Sequence, residues 1–215
     1  MKVFKLFTLT IALFVFNIYS AQTKAEHVEL TDLIRNLIQT TKDEKNIKQA
    51  FWLPKSYWEL ALKDSPYGNQ SLIDEINAVI ENYSIFAVTD VTISHITGIK
   101  KNTLTSIHLI VDDTQYAPIE MLPNDIETIV SSIKPMLAKM LGDFGNSIEI
   151  FVFDNSNDII PTNLETSKFT LEVNTTNFDY YLPLSSLVEK KICPVDKKAH
   201  NGNWMFCPWH GKKLK

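Results

Sequence analysis

Glycine is scarce in this chain. Six glycines are spread over 215 residues, too thinly to build the glycine-rich loop that cradles a phosphate. Cysteine is scarcer still: Cys193 and Cys207 are the only two, and both lie in the closing stretch "ICPVDKKAHNGNWMFCPWHGKKLK". No serine stands in a nucleophile-elbow context and no cysteine precedes Cys193, so His27, His95 and His108 have no partner set for nucleophilic catalysis. After the first residues no apolar run approaches the roughly 20 residues that span a bilayer. Internal repeats and low-complexity linkers are absent too.

What is present begins with an export signal. Lys2 and Lys5 give a positive start, Phe7 to Tyr19 form a mostly apolar run, and "IYSAQ" offers small residues at a cut after Ser20 or Ala21. Residues 1–21 are therefore read as a signal peptide, which predicts a periplasmic or secreted protein without membrane insertion after cleavage. The alternative is a membrane anchor, for which the apolar stretch is short. With no cysteine at the cut, a lipid anchor is not expected.

The charge is unevenly placed. Residues 22–189 hold twelve Lys and Arg against twenty-four Asp and Glu, a balance of −12. Residues 190–215 hold seven lysines against Asp196 alone, a balance of +6. The acidic body argues against nucleic acid as a partner. The basic end suits self-docking, an anionic or protein partner of unknown identity, or simple solubility.

Apolar periodicity predicts a helix over 26–39, a short helix after Pro54, and one opening at Ser71 with Asp74 in a capping pattern. "YSIFAVTDVTIS", "SIHLIVDDTQYAPIE", "SIEIFVFD", "KFTLEVN" and "FDYYLPL" read as strands, with turns at Asp112–Asp113 and "NTTN". Asn124 is read as the cap of a further helix that Pro135 kinks and Gly142 stops. This order predicts an α+β domain over 22–189, an antiparallel sheet with helices packed on one face, followed by a small unit over 190–215.

In that unit Cys193-x-x-Asp196 and Cys207-x-x-His210 repeat one spacing, each cysteine is followed by proline, and Gly211 follows His210. Two tight turns, each offering two donors three positions apart, suit a tetrahedral metal. "FCPWHGKKL" resembles the second turn of a zinc ribbon, "ICPVDKK" the first, and "HNGNW" the hairpin between them. The segment is similar to the C-terminal zinc ribbon of a group of exported bacterial proteins. The resemblance implies zinc held by Cys193, Asp196, Cys207 and His210, and implies no activity. His200 is the alternative to Asp196 if the hairpin folds back. A Cys193–Cys207 disulfide with no metal is the competing chemistry, natural for an exported chain with an even cysteine count. Trp204, Phe206 and Trp209 are expected to dock onto the main domain.

"DNSNDIIPTNLE" puts Asp154, Ser156, Asp158 and Glu165 at calcium-loop positions, but Ile159 stands where the loop needs glycine, so an ordinary connection is expected. Asp112 and Asp113 read as turn formers rather than an acid/base pair. Two functions remain. One is an exported non-catalytic binding or assembly protein stapled by its ribbon. The other is an exported hydrolase or metal-dependent enzyme whose site is scattered through the sequence; a deep polar cleft would mark it, whereas an exposed apolar patch marks the first.

Overall fold

The computed structural model describes residues 24–215 apart from 26, 64, 66–68, 97 and 161–165. Residues 1–21, read above as a signal peptide, lie outside the described residues. The architecture is α+β and built on antiparallel sheets. Instead of one sheet there are two, plus a two-stranded ribbon at the C-terminus.

The organising element is β3, Tyr83–Ser94, a run of β-branched and aromatic residues buried continuously from Ser84 to Val91. One edge of β3 pairs with β2 (Asn46–Trp52), which continues to β1 (Ile38–Lys42). Its other edge is shared, β7 (Glu149–Asp154) along the first half and β4 (Gly98–Lys101) along the second. The second sheet runs β6 (Thr114–Tyr116), β5 (Ile107–Val111), β8 (Ser167–Val173), β9 (Thr176–Leu182).

Aromatic side chains join the two sheets. Trp52 and Phe86 of the first meet Phe169 and Tyr180 of the second, with ring centroids 4.9 to 6.2 Å apart. The buried Tyr180 hydroxyl donates to the Ala50 carbonyl oxygen at 3.0 Å. Because side chains alternate along a strand, Ile85 and Ala87 point to the face opposite Phe86. Helices α1 (Leu30–Leu37), α2 (Lys55–Lys63), α3 (Gln70–Ile80) and α4 (Asn124–Leu141) supply the rest of the same core.

Several boundaries differ from the sequence reading, each for a local reason. The first helix is shorter than 26–39 because the chain turns extended at Ile38 and enters the β1–β2 hairpin. Asp43 closes that hairpin by accepting the Lys45 and Asn46 N–H groups. The cap of α3 is Asn69, whose side chain accepts the Leu72 N–H at 2.9 Å, rather than Ser71. Helix α4 starts at Asn124 behind Pro123 and runs through Pro135. Asp112 and Asp113 do form the β5–β6 turn, both with positive φ.

The C-terminal ribbon pairs β10 (Lys191–Ile192) with β11 (Ala199–His200). The chain end returns along it, with Ile192 and Lys215 exchanging backbone hydrogen bonds. Named contacts join it to the body, among them an ion pair from Lys190 to Asp32 at 3.9 Å. Asn203 Nδ2 donates to the Pro183 carbonyl at 2.7 Å, and Gly202 packs so tightly on Glu189 that a Cβ there would sit 2.2 Å from the Glu189 oxygen.

Candidate metal centre

The two cysteine turns share one backbone design. Cys193 N–H donates to Lys198 O at 2.9 Å, and Cys207 N–H donates to Lys212 O at 2.8 Å. Lys197 N–H returns to Cys193 O at 3.0 Å, and Gly211 N–H returns to Cys207 O at 2.8 Å. The residues that reverse each chain, Lys197 and Gly211, have φ of 62° and 61°. Repetition of this kind places Asp196 and His210 at equivalent positions, three residues beyond each cysteine.

Side-chain donors converge between the turns. Both sulfurs are buried and both thiols are free. His210 Nδ1 lies 3.4 Å from Cys193 Sγ and 3.5 Å from Cys207 Sγ. His200 Nε2 lies 3.6 Å from Cys207 Sγ. One donor atom each from Cys193, His200 and Cys207 lies within 4.8 Å of the others, and the same holds for Cys193, Asp196 and His210. The donors fall in two triads that share Cys193, with Asp196 and His210 in one and Cys207 and His200, the sequence's alternative to Asp196, in the other.

These separations have a chemical meaning. Zinc–sulfur bonds of about 2.3 Å and zinc–nitrogen bonds of about 2.05 Å at tetrahedral angles put sulfur and nitrogen roughly 3.5–3.6 Å apart. The three sulfur–nitrogen distances fall within about 0.2 Å of that edge. Thiolate and imidazole are also the donors that zinc favours. The residues present fit the ion.

The electrostatics differ between the two sulfurs. Burial pushes the Cys207 thiol up, but the backbone N–H groups of His210 and Trp209 and the His210 ring outweigh it and hold it below the ordinary thiol value. For Cys193 burial prevails over the Asp196 and Val195 amides and the thiol stays above it. Asp196 accepts the Lys198 N–H at 3.2 Å, which, against burial, holds its carboxyl below the usual carboxylate range.

A small core of Cys193, Cys207 and Leu214 lies under the site. The aromatic residues are not part of it. Trp209 is 79% exposed, Phe206 56% and Trp204 44%, so the expected docking onto the main domain does not occur. Asn203, Gly202 and Lys190, the last 3.9 Å from Asp32, touch the body, and the aromatic rim faces solvent. Trp204 instead lies over the His200 ring, with centroids 6.1 Å apart.

Ser106 Oγ and Glu172 Oε1 both approach His108 Nδ1, at 3.3 and 3.5 Å; a relay needs them on opposite ring nitrogens. His27 is exposed beside Glu29, and His95 is exposed in a turn. In the calcium-like stretch Asp154 accepts the Ser156 N–H and Asn155 accepts the Ile160 N–H, so the loop satisfies itself; Glu165 lies outside the described residues. An open groove of about 580 Å³ runs between α2 and α3, lined by both lysines and carboxylates, among them Lys55, Glu59, Asp74 and Glu81. The chain matches no family model, no curated protein and no solved structure.

Proposed function

We propose that this is an exported, non-catalytic binding or assembly protein whose α+β body carries a zinc-held C-terminal ribbon as a rigid knob. The observation that supports the metal is the set of sulfur–nitrogen separations of 3.4, 3.5 and 3.6 Å around the two buried thiols. In this reading Cys193, Cys207 and His210 hold zinc and His200 closes the tetrahedron. Zinc there would keep both thiols ionised and tie the two turns together. Asp196 as the fourth ligand is the second reading, favoured by its equivalence to His210 in the repeated turn.

The binding role is supported by the aromatic rim that the ribbon exposes and by the charge split between body and ribbon. An exported hydrolase or metal-dependent enzyme is the competing function. It is favoured by one observation, the α2–α3 groove, where Asn77 Oδ1 is buried without a hydrogen-bond partner. Native mass spectrometry of protein purified without added metal tests both. Zinc on the intact chain supports the ribbon reading, and a co-purified small molecule lost on Asn77→Ala supports the enzyme.

A further inference from the structure

We propose that the ribbon binds the surface of an anionic phospholipid bilayer, with its exposed apolar tips at the interface and its lysines on the headgroups. This goes beyond the zinc reading and rests on the ribbon's shape rather than on its metal.

The two cysteine turns carry Val195 and Trp209 at matching positions, each two residues after its cysteine, and both are exposed. Met205 and Phe206, just ahead of Cys207, are exposed as well, and Phe206 pairs across the ribbon with Lys213. Tryptophan is the side chain that settles at the level of lipid headgroups. Lys212, Lys213 and Lys215 are exposed and have no side-chain partner among the described residues. Each lysine near an anionic leaflet contributes about 1 kcal/mol. The body, at −12, is repelled by the same surface, so the chain would meet it ribbon first.

An acidic protein would share the charge chemistry, but two features favour lipid. Protein hot spots favour arginine, while lysine is depleted in interfaces. The ribbon has seven lysines and no arginine. The ribbon's apolar side chains Val195, Met205, Phe206 and Trp209 stand out at its surface, a shape that does not depend on a pocket in a partner. A fluid interface asks for no such complementarity.

The test uses the full mature chain with vesicles of phosphatidylcholine alone, and with about a third phosphatidylglycerol. Co-sedimentation with the anionic vesicles only, a blue shift of tryptophan emission, and release by salt are expected. Trp209→Ala with Phe206→Ala, and separately Lys212→Gln with Lys213→Gln and Lys215→Gln, should each weaken binding more than about tenfold. Zinc content and melting temperature show whether each variant is folded. Absence of binding, equal binding to neutral vesicles, unchanged binding by the folded variants, or capture by polyglutamate but not by vesicles overturns it. Vesicle binding by a chain without zinc sinks the metal reading alone, and zinc without vesicle binding sinks this one alone.

Discussion

Lys197 and Gly211 occupy the same place in two copies of one turn, with φ of 62° and 61°. Glycine adopts this left-handed conformation freely, whereas lysine is strained in it. Around Gly211 a Cβ would meet nothing within 4 Å, so the constraint is conformational and not steric. Lys197→Gly should therefore stabilise the ribbon by about 0.5–1 kcal/mol, and Gly211→Ala should destabilise it by a similar amount. Thermal melts of the two variants check the pair of opposite signs.

Gly202 is different, because space decides there. A Cβ would sit 2.2 Å from the Glu189 oxygen and 2.9 Å from Val188. Gly202→Ala should cost about 1–3 kcal/mol by pushing the ribbon off its contact with the body. Limited proteolysis should then cut near Glu189 faster than in the parent. An unchanged cleavage rate would show that the contact is not what seats the ribbon.

Tyr180 ties the sheets together through Ala50. Burial pushes its phenol far above the ordinary value, against a backbone hydrogen bond from Trp52, so it stays a neutral donor to Ala50. Tyr180→Phe keeps the ring stacked on Phe169 but removes the bond to Ala50, whose strand is paired on both edges, and should cost about 0.5–1.5 kcal/mol in denaturant melts. Tyr180→Ala should cost about 3–5 kcal/mol.

Asp179 gives the fold a small acid sensitivity. The Thr170 hydroxyl at 2.7 Å and Lys168 at 3.0 Å, against burial, hold its carboxyl below the usual aspartate value. The unfolded chain binds this proton more readily, so the contribution is present above about pH 4 and is lost as pH falls through the lowered value. Because the pair is partly exposed, Asp179→Asn should cost at most about 1 kcal/mol at neutral pH and nothing in strong acid. Equal effects at both pH values would contradict it.

Strands with two buried faces were legible in the sequence because their whole length is apolar, as in Tyr83–Ser94. The β1–β2 hairpin was not. Residues 38–48 are largely polar and half-exposed, and the helical spacing of Leu33, Leu37 and Ile38 runs straight into them. The same holds for β4, whose four residues are all exposed. In the ribbon, spacing revealed Cys193, Asp196, Cys207 and His210 because the turns repeat. His200 follows no such period. It reaches Cys207 because β10 and β11 pair Lys191 with His200, and only the hairpin register carries that information. The exposed rim was misread because aromatic residues usually seek a core, and this ribbon has room only for Leu214 and the cysteines.

The most direct test of the central claim is zinc content together with thiol titration after denaturation without reductant. The parent, His210→Ala, His200→Ala and Asp196→Ala would be compared. One zinc per chain and two free thiols are expected in the parent. Near-complete zinc loss is expected in His210→Ala, a large loss in His200→Ala and a smaller one in Asp196→Ala. Zinc should also leave as pH falls, since bound thiolates and imidazoles must be deprotonated. No zinc and no free thiols, with His210→Ala as stable as the parent, would establish a Cys193–Cys207 disulfide and contradict the account.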